Sequence, residues 1–508
     1  MESSSENKKK ESIANGNGTI KPLETSEEEK ERYKSLYIIY FTLFLQSLGL
    51  AVCMTGIWPY VSKLDPGTTK EFYSLIVAAN PLGQFIFSPL IGLWQNKSAS
   101  IRWPIITSLI IFIISNAFYS SLDMLVGYGV KYWMLIIRFF TGVASANIAV
   151  GRGYISAATK VEERTHVLSM ASLSQVGGFI AGPLLQAVFT AIGEGYVLSS
   201  GYHISMYTVP GLINTILGAI NIFFFLPHIF VDHNIAVREQ MALQGKESAK
   251  ETYKSVKIDY LVTCALIFSY FIVCVNLVLL ESLGTPLTMD QFGFSRKDTL
   301  KWNGILVGIG AFVSCVIFCL LPRLSKILKE IDILIWGGMF IAVIGKIIYI
   351  PYRGDPPPIA DENFNSTIFL NNDNSTEILG CPVKTQSWCA TTSHALGIPE
   401  FVIGYFFGVI GYPVGVTLIQ TLFSKILGAR PQGTWMGIML AAGSMSRIVG
   451  PIVIVASYTE FGLGYTFAWI TIFMCIPMIL LYSLRNRLIT DTPKADNINM
   501  TDVKSQTA

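Results

Sequence analysis

Twelve stretches of this chain stay apolar for roughly twenty residues each, the length that a helix needs to cross a membrane. Inside a bilayer the backbone has no water to bond, so such stretches fold as helices that satisfy their own N–H and C=O groups. Only 14% of the residues are charged and 51% are hydrophobic, which leaves these helices no polar face for water. We therefore expect an all-α membrane protein with twelve transmembrane helices. They are expected to begin near Tyr37, Phe72, Trp103, Tyr132, Thr165, Ile204, Ile258, Leu300, Ile331, Ile398, Thr434 and Gly464.

Polar segments between these stretches indicate how the chain is organised. The tail at residues 1–36 lacks the apolar core of a cleavable signal peptide, so the first helix is expected to remain as an anchor. The polar stretch 228–257 is too short for a domain and is interpreted as a connecting loop. The remaining predicted parts are a six-helix bundle at 37–227, a second six-helix bundle at 258–484 with a long polar loop at 351–397, and a C-terminal tail at 485–508.

Lys and Arg residues are unevenly divided between the two sides of the predicted membrane domain. The loops on the side of the N-terminus contain nineteen of them, and the loops on the other side contain eight. Because loops that stay in the cytosol carry the excess of positive charge, both termini are expected to be cytosolic. The same bias places the loop 351–397 on the lumenal side.

This loop has the features of a segment in an oxidising compartment. Asn365 and Asn374 begin glycosylation sequons, and Cys381 and Cys389 lie close together in a polar stretch. Both asparagines are therefore expected to carry glycans, and the cysteines to form a disulfide, with two free thiols as the alternative. Sequons on the cytosolic side are expected to stay unmodified, and they begin at Asn17, Asn96 and Asn499.

The two predicted bundles share an internal repeat. Residues 163–183 align without a gap onto residues 431–451, an offset of 268, and the same offset carries Ser156 onto Ser424. Repeated halves are how many transporters place a binding site at the midplane, between two bundles that rock around it.

Glycine motifs in these helices resemble signatures of the major facilitator superfamily. The fourth helix contains an Arg-x-x-x-Gly pattern that starts at Arg138, and the fifth contains a Gly-x-x-x-Gly-Pro pattern. Glycine lets backbones approach closely and proline loosens a helix where one bundle meets the other, so these residues serve either in packing or as hinges. The resemblance implies the superfamily fold, two pseudo-symmetric six-helix bundles. The candidate hinge and packing residues are Gly142, Gly178, Gly182, Pro183, Gly450 and Pro451.

The segment after the second helix departs from the superfamily. Its usual Gly-x-x-x-Asp-Arg/Lys pattern spans Gly92 to Lys97 here, with Asn96 in place of the acid. The charge interaction that this acid usually provides on the cytosolic side is therefore expected to be missing.

Two arginines lie inside predicted membrane helices, where a charge costs about 2.5–3.5 kcal/mol on insertion scales and normally faces a cavity or a partner. Arg138 in the fourth helix and Arg447 in the eleventh are expected at similar depth in the lumenal half. We interpret them as a positive region that attracts an anion, with a structural bond to a neighbouring backbone as the alternative for Arg138. Thr141 and Ser145 extend Arg138 as a polar stripe on the same helical face.

Other polar residues in the helices each have two interpretations. Glu281 in the seventh helix is either an acid that couples transport to protons or an interfacial group, and Lys346 in the ninth is interpreted as snorkelling to the interface. Asn276 and Gln420 lie in helices that line the cavity in this superfamily, and serve either transport or helix contacts. The candidate transport residues are Arg138, Arg447, Glu281, Thr141, Ser145, Asn276 and Gln420.

Six further stretches are similar to one family within the superfamily. They are Gly-Ile-Trp-Pro-Tyr at 56–60, Thr-Pro-Leu-Thr-Met-Asp at 285–290, Gly-Tyr-Pro-Val at 411–414, Ser-Lys-Ile-Leu-Gly at 424–428, Arg-Ile-Val-Gly-Pro at 447–451 and the Cys-containing loop at 380–389. From about residue 33 to 487 the chain resembles the major facilitator superfamily domain-containing protein 8 family, also called the ceroid lipofuscinosis neuronal protein 7 family. The resemblance implies a multi-pass glycoprotein of the lysosomal membrane and an association with chloride conductance.

The sequence contains no Walker loop, no dinucleotide-binding glycine pattern and no His cluster with metal spacing, so we expect no enzymatic activity, cofactor or metal. Lys and Arg are spread over short loops, which argues against a nucleic-acid partner. The expected partners are the lipid bilayer and a small solute or anion, with channel-like chloride conductance as the leading interpretation. A coupled secondary transporter of an organic metabolite and a transport-silent scaffold or receptor are the alternatives, and the oligomeric state stays open.

Overall fold

The structure is a computed structural model that describes residues 12–14, 20–98, 100–125, 129–193, 195–197, 203–244, 248, 251, 258–353, 355–360, 369–370, 376–377 and 379–488. In this part of the chain, ten helices are long and apolar enough to cross a membrane. The longest contains Gly462 at φ 82°, a left-handed conformation that divides it into two membrane helices. The shorter apolar helix Val209–Phe224 completes the predicted set of twelve.

The membrane helices are numbered in chain order. Those of the first half are Ser26–Met54, Lys70–Ser98, Arg102–Ser120, Val130–Ala157, Arg164–Phe189 and Val209–Phe224. Those of the second half are Tyr260–Phe292, Arg296–Ile327, Glu330–Ile348, Ile398–Leu427 and the two parts of Gly433–Ser483 before and after Gly462.

Short elements connect or precede these helices. The short helices are Ile57–Leu64, Ile235–Gln244 and Arg485–Leu488, with 3-10 turns at Leu122–Leu125, Thr190–Ile192 and Ser387–Ala390. Three two-stranded antiparallel hairpins pair Ser12–Ala14 with Ile20–Pro22, Tyr196–Val197 with His203–Ile204, and Phe369–Leu370 with Thr376–Glu377.

The first helix begins at Ser26, eleven residues before the predicted start at Tyr37. Thr25 caps it, because its hydroxyl accepts a bond from the Glu28 N–H while the Glu28 carboxylate accepts one from the Thr25 N–H. Acidic residues in the first turn also suit the positive end of the helix dipole. The polar extension is therefore helical although it contributes nothing to the hydropathy signal.

Each half has the same internal packing. The first helix packs along the fifth, as the seventh packs along the eleventh, and the second packs along the fourth, as the eighth packs along the tenth. The repeat is visible in single hydrogen bonds. Arg164 Nη2 donates to the Ser156 carbonyl at 3.1 Å, and Gln432 Nε2 donates to the Ser424 carbonyl at 2.9 Å, so both donor and acceptor are related by the 268-residue offset.

The predicted packing glycines lie inside the halves. Gly178 and Gly182 of the fifth helix face the first helix, and a Cβ at Gly182 would come within 2.7 Å of the Val52 backbone nitrogen. Gly450 of the eleventh helix faces Val278 of the seventh, and Gly142 touches the Asn80 backbone of the second. The expectation that this motif marks the place where the bundles meet is therefore wrong for these contacts.

An even number of helices places both ends of the membrane domain on one face. We call the face with Ser26 and Leu488 the terminal face, and the opposite one the loop face. On the loop face Cys381 and Cys389 form the expected disulfide, with Cα atoms 5.8 Å apart. The loop is seated on the bundle because Trp388 covers Gly462.

Asp290 at the end of the seventh helix holds the same loop. Its Oδ2 accepts hydrogen bonds from Tyr458 at 3.0 Å and from Gln386 at 3.2 Å. The sequons Asn365 and Asn374 of this loop, like Asn17 and Asn499, lie outside the described residues.

Candidate functional site

The two halves meet most closely where the second helix crosses the eleventh. Gly92 lies against Gly433, and Gly437 lies against the Ser88 and Pro89 backbone, so the glycines allow the helices to touch. Asn96 joins them further: its Nδ2 donates to Thr434 Oγ1 and its Oδ1 accepts the Gly433 N–H, both at 2.9 Å. The amide that replaces the usual acid therefore links the halves without a charge.

A polar network continues this contact to the middle of the membrane. Ser444 Oγ of the eleventh helix donates to Gln84 Oε1 at 2.8 Å, and Gln84 Nε2 donates to the Ser145 carbonyl at 3.3 Å. That carbonyl is available because the fourth helix is interrupted between Val130–Ser145 and Asn147–Ala157. Gln46 Nε2 of the first helix donates to Ser145 Oγ at 2.9 Å, which brings four helices together.

A second contact on the terminal face joins the fifth helix to the second half. Arg164 Nη1 donates to the Ser424 carbonyl of the tenth helix at 3.2 Å. Next to it, Thr165 bonds Glu330, and the same carboxylate accepts Lys425 Nζ at 2.8 Å. Arg164 and Thr165 are buried, and Glu330 and Lys425 are nearly so. This contact therefore closes the space between the halves on the terminal face.

The helix Ile235–Gln244 between the halves fastens both of them. Glu239 accepts the Val161 N–H at 3.1 Å, and the next residue, Gln240, accepts the Ala429 N–H at 3.0 Å. Val161 and Ala429 are separated by 268 residues, so adjacent side chains bind equivalent amides of the two halves. Burial raises the pKa of Glu239 above its ordinary value, against the opposing effects of the Val161 N–H and Arg164.

These contacts define which face of the molecule is closed. In the described part of the chain, the hydrogen bonds between the halves all lie between the terminal face and the midplane. The first and seventh helices, one from each half, are not among the helix pairs in extensive contact, although the fifth and the eighth are. The structure is therefore closed on the terminal face, and we call the loop-face side of the described interface, where no hydrogen bond joins the halves, the open side.

Arg447 lies directly beyond this closed region. It is fourteen residues from Gly433 and fifteen from Gly462, hence about 21 Å along the eleventh helix and near its middle. The half-buried guanidinium has its Cζ 6.0 Å from the ring centre of Phe179, which belongs to the fifth helix of the other half. A cation from one half and an aromatic ring from the other thus meet at the base of the open side.

Glu281 shares the surroundings of Arg447. The two interact electrostatically, but in the described chain they form neither a hydrogen bond nor an ion pair. Glu281 is exposed although it also interacts with Tyr405 and Tyr412 of the tenth helix. We call the region between the helices around Glu281 and Arg447 the cavity; it contains one positive and one negative group that do not neutralise each other by contact.

Arg138 has different surroundings. Its side chain is 2% exposed, Nη2 contacts the Met54 sulfur at 3.2 Å, and Nε has no partner among the described residues. Within the described chain its electrostatic neighbours are Cys53, Tyr73 and Tyr119, with no carboxylate. It is eight residues from Val130, about 10 Å nearer the loop face than Arg447 along the helices. The expected similar depth is therefore not found, and the structure does not join the two arginines.

The remaining candidates are buried. Thr141 Oγ1 donates to the Ile137 carbonyl at 2.8 Å and so belongs to its own helix. Asn276 Oδ1 and both polar side-chain atoms of Gln420 have no hydrogen-bond partner in the described chain.

The interpretation of Lys346 as a snorkelling group is wrong, because it is 0% exposed and its Nζ lies 5.4 Å from the ring centre of Tyr349. No group of three His, Cys, Asp or Glu residues suited to a metal occurs among the residues described.

The chain also matches known proteins. Residues 39–354 match the model of the Major Facilitator Superfamily. Major facilitator superfamily domain-containing protein 8 of Xenopus laevis is 32% identical over 484 residues, which cover 92% of this chain and 94% of that protein. The chain belongs to the major facilitator superfamily domain-containing protein 8 family. It is therefore a multi-pass transporter of the superfamily, whose substrate these matches leave unspecified.

More distant proteins are also similar to this chain in sequence or in fold. The tetracycline resistance protein, class E, of Escherichia coli is 23% identical over 82% of this chain and 86% of its own length. The human organic anion transporter MFSD10 superimposes with a TM-score of 0.61 over 89% of this chain and 99% of its own, at 14% identity. The transporter FucP in its outward conformation gives a TM-score of 0.62 over 88% and 98%, at 12% identity. The predicted superfamily fold is thus confirmed.

The contacts between the halves of this family member were largely missed from sequence. Gln84, Ser444 and the pair Glu239 and Gln240 have no recognisable motif, and their partners are far away in the chain. Phe179 lies within the Gly-x-x-x-Gly-Pro segment, but nothing in the sequence distinguishes it from the other apolar residues of that helix. Only the 268-residue offset, applied to Val161 and Ala429, could have indicated a paired site.

Proposed function

We propose that this transporter moves a small anion across the lysosomal membrane, with chloride as the leading candidate and a channel-like conductance. The observation that carries the proposal is Arg447, a guanidinium at the base of the open side that has no ion-pair partner in the described chain. A buried charge is normally retained only where a partner or ligand offsets its desolvation. An anion that enters from the loop face would reach this charge at the base of the open side.

The balance of membrane charges supports an anion. Arg138 adds a second cation with no carboxylate among its described neighbours, whereas Glu281 is an acid in the cavity. Arginine stays protonated at any physiological pH, so the attraction does not require an acidic lumen. Glu281 stands as the candidate coupling acid, and Asn276 and Gln420 as candidate polar wall groups.

The lysosomal location and the orientation are part of the proposal. Family membership supports the location, and the excess of Lys and Arg on the terminal face supports a cytosolic position for both termini. The loop face, with the disulfide, would then face the lumen, where disulfides persist.

Glycan mapping tests this orientation. Replacing both Asn365 and Asn374 by Gln is expected to abolish the mass shift that glycosidase treatment causes, because their loop would face the lumen. Asn96→Gln is expected to leave that shift unchanged, since Asn96 lies on the terminal face and bonds Gly433. A glycosidase-sensitive shift that survives in the double variant would contradict the proposed topology.

A second function, a coupled secondary transporter of an organic metabolite, is favoured by the closure of one face alone. A carrier that works by alternating access passes through such a state, whereas a conducting channel needs a path open to both sides. The amount of charge that each protein molecule moves per unit time distinguishes a channel from a coupled carrier.

Purified protein in liposomes separates these functions. Chloride current and uptake of radiolabelled chloride and of organic anions would be measured on the same preparation. Currents far above the tracer turnover of a carrier are expected for the channel, and uptake that depends on a gradient of protons is expected for the coupled transporter. Correctly folded protein that moves none of these anions would contradict both and favour a scaffold or receptor.

A further inference from the structure

The outer surface of the first half contains an apolar groove of about 580 Å³ near the terminal face. The first helix forms one wall with the exposed rings of Tyr37 and Phe41, and Phe224 and Ile229 form the other wall. Phe41 packs edge-on against Phe224, with ring centres 5.6 Å apart. Exposed aromatic rings at the end of a membrane helix are in place to contact lipid at the interface.

The far wall of this groove is fastened to the first helix. Ser35 Oγ donates to the Val231 carbonyl at 3.0 Å and accepts the Val231 N–H at 3.2 Å. Phe230, beside Ile229, is fully buried against Phe225, with ring centres 5.0 Å apart. The groove is therefore built by fixed segments and does not depend on a loose loop.

The polar end of the groove is charged. Lys30 and Lys34 border it, both exposed, and neither has a carboxylate partner in the described part of the chain. They lie one turn apart on the same helical face as Tyr37 and Phe41. Glu29 also borders the groove, so the rim carries two positive charges and one negative charge.

We propose that this groove binds one anionic phospholipid, with its phosphate at Lys30 and Lys34 and an acyl chain along Phe41 and Ile229. From Lys34 to Phe41 the helix rises about 10 Å, which matches the step from the headgroup region into the acyl chains. Basic residues next to the membrane attract anionic headgroups, and the aromatic walls hold the chain. A soluble anion would use the lysines alone and leave the apolar walls empty.

Native mass spectrometry of the full chain in detergent tests the proposal with phosphatidylserine and phosphatidylcholine that carry identical acyl chains. Phosphatidylserine is expected to bind at one site with on the order of tenfold preference. Lys30→Gln with Lys34→Gln should reduce that preference to near unity, whereas phosphatidylcholine binding should not change. Phe41→Ala should weaken the binding of both lipids.

A matched charge control comes from the end of the eighth helix and the loop that follows it. Lys326→Gln with Lys329→Gln removes the same charge from exposed positions on the same face and should leave the lipid preference intact. Equal binding of both lipids by the parent, or an equal effect of both lysine pairs, would overturn the proposal. Full displacement of the lipid by glycerophosphoserine, which lacks acyl chains, would show a soluble-anion site instead.

Discussion

Replacing Arg447 by Gln is expected to lower anion transport by about tenfold to a hundredfold at equal amounts of protein in the membrane. A hydrogen bond to a charged group contributes about 1.5–3 kcal/mol, which corresponds to this range. The loss is expected toward the upper end of this range, because Glu281 would then be the charge that an entering anion meets. Arg447→Lys keeps the charge but not the planar fork, and should retain part of the transport.

Glu281 supplies the control for this prediction. Glu281→Gln removes the negative neighbour without touching the guanidinium, so downhill anion transport should persist or increase. Combining it with Arg447→Gln restores the electrical balance of the cavity, and partial recovery in the double variant would show that charge, not shape, limits transport. If Arg447→Gln carries anions as well as the parent in correctly inserted protein, the proposed site is wrong.

The same pair of variants distinguishes the two candidate functions. In a coupled carrier, Glu281→Gln should abolish accumulation against a gradient while exchange continues, because the coupling group is lost and the binding group remains. In a channel, Glu281→Gln should alter the chloride conductance but should not abolish it. Reconstituted protein with an imposed proton gradient provides this comparison.

The helices could be predicted from sequence because a membrane span is a local property. Eleven of the helices begin within five residues of the predicted start, since the change from polar to apolar residues defines the boundary. The first helix differs because its extension depends on the Thr25 cap and not on hydropathy. The repeat was likewise readable, as the equivalent bonds of Arg164 and Gln432 show.

The site itself was only partly predictable because its geometry depends on contacts between distant segments. Arg447 stood out as a charge in an apolar helix, but its neighbour Phe179 did not. Lys346 was interpreted as snorkelling from its residue type alone, whereas its side chain is fully buried. An eight-residue π-helical stretch, Ile333–Phe340, precedes it and changes the rotational phase of the ninth helix, which hydropathy does not reveal.

The hinge glycines illustrate the same limit. A Gly-x-x-x-Gly pattern says that a backbone comes close, but not which backbone. In the fifth helix the neighbour is the first helix of the same half, whereas Gly437, which lies in no signature, touches the other half. Closure of the terminal face therefore depends on a glycine that the sequence does not single out.

Gly437→Val is expected to shift the molecule away from the state closed on the terminal face. The new side chain would overlap the Ser88 carbonyl and come within 2.8 Å of Pro89 Cα, both in the other half. Overpacking costs about 1–3 kcal/mol, so the closed state should lose roughly fivefold to more than a hundredfold in population. Because the halves can separate, the strain is relieved by opening and not by unfolding.

Spin labels at Lys97 and Lys326, exposed residues on the terminal face in opposite halves, report this opening as a longer distance in pulsed electron paramagnetic resonance. The labels require a background without the free cysteines Cys53, Cys264, Cys274, Cys315, Cys319 and Cys475. Gly308→Val is the matched control, because a Cβ at this position of the eighth helix meets no described atom within 4 Å. An unchanged distance in folded Gly437→Val protein would show that this contact does not hold the terminal face closed, and the rocking of two halves around Arg447 would lose its main structural support.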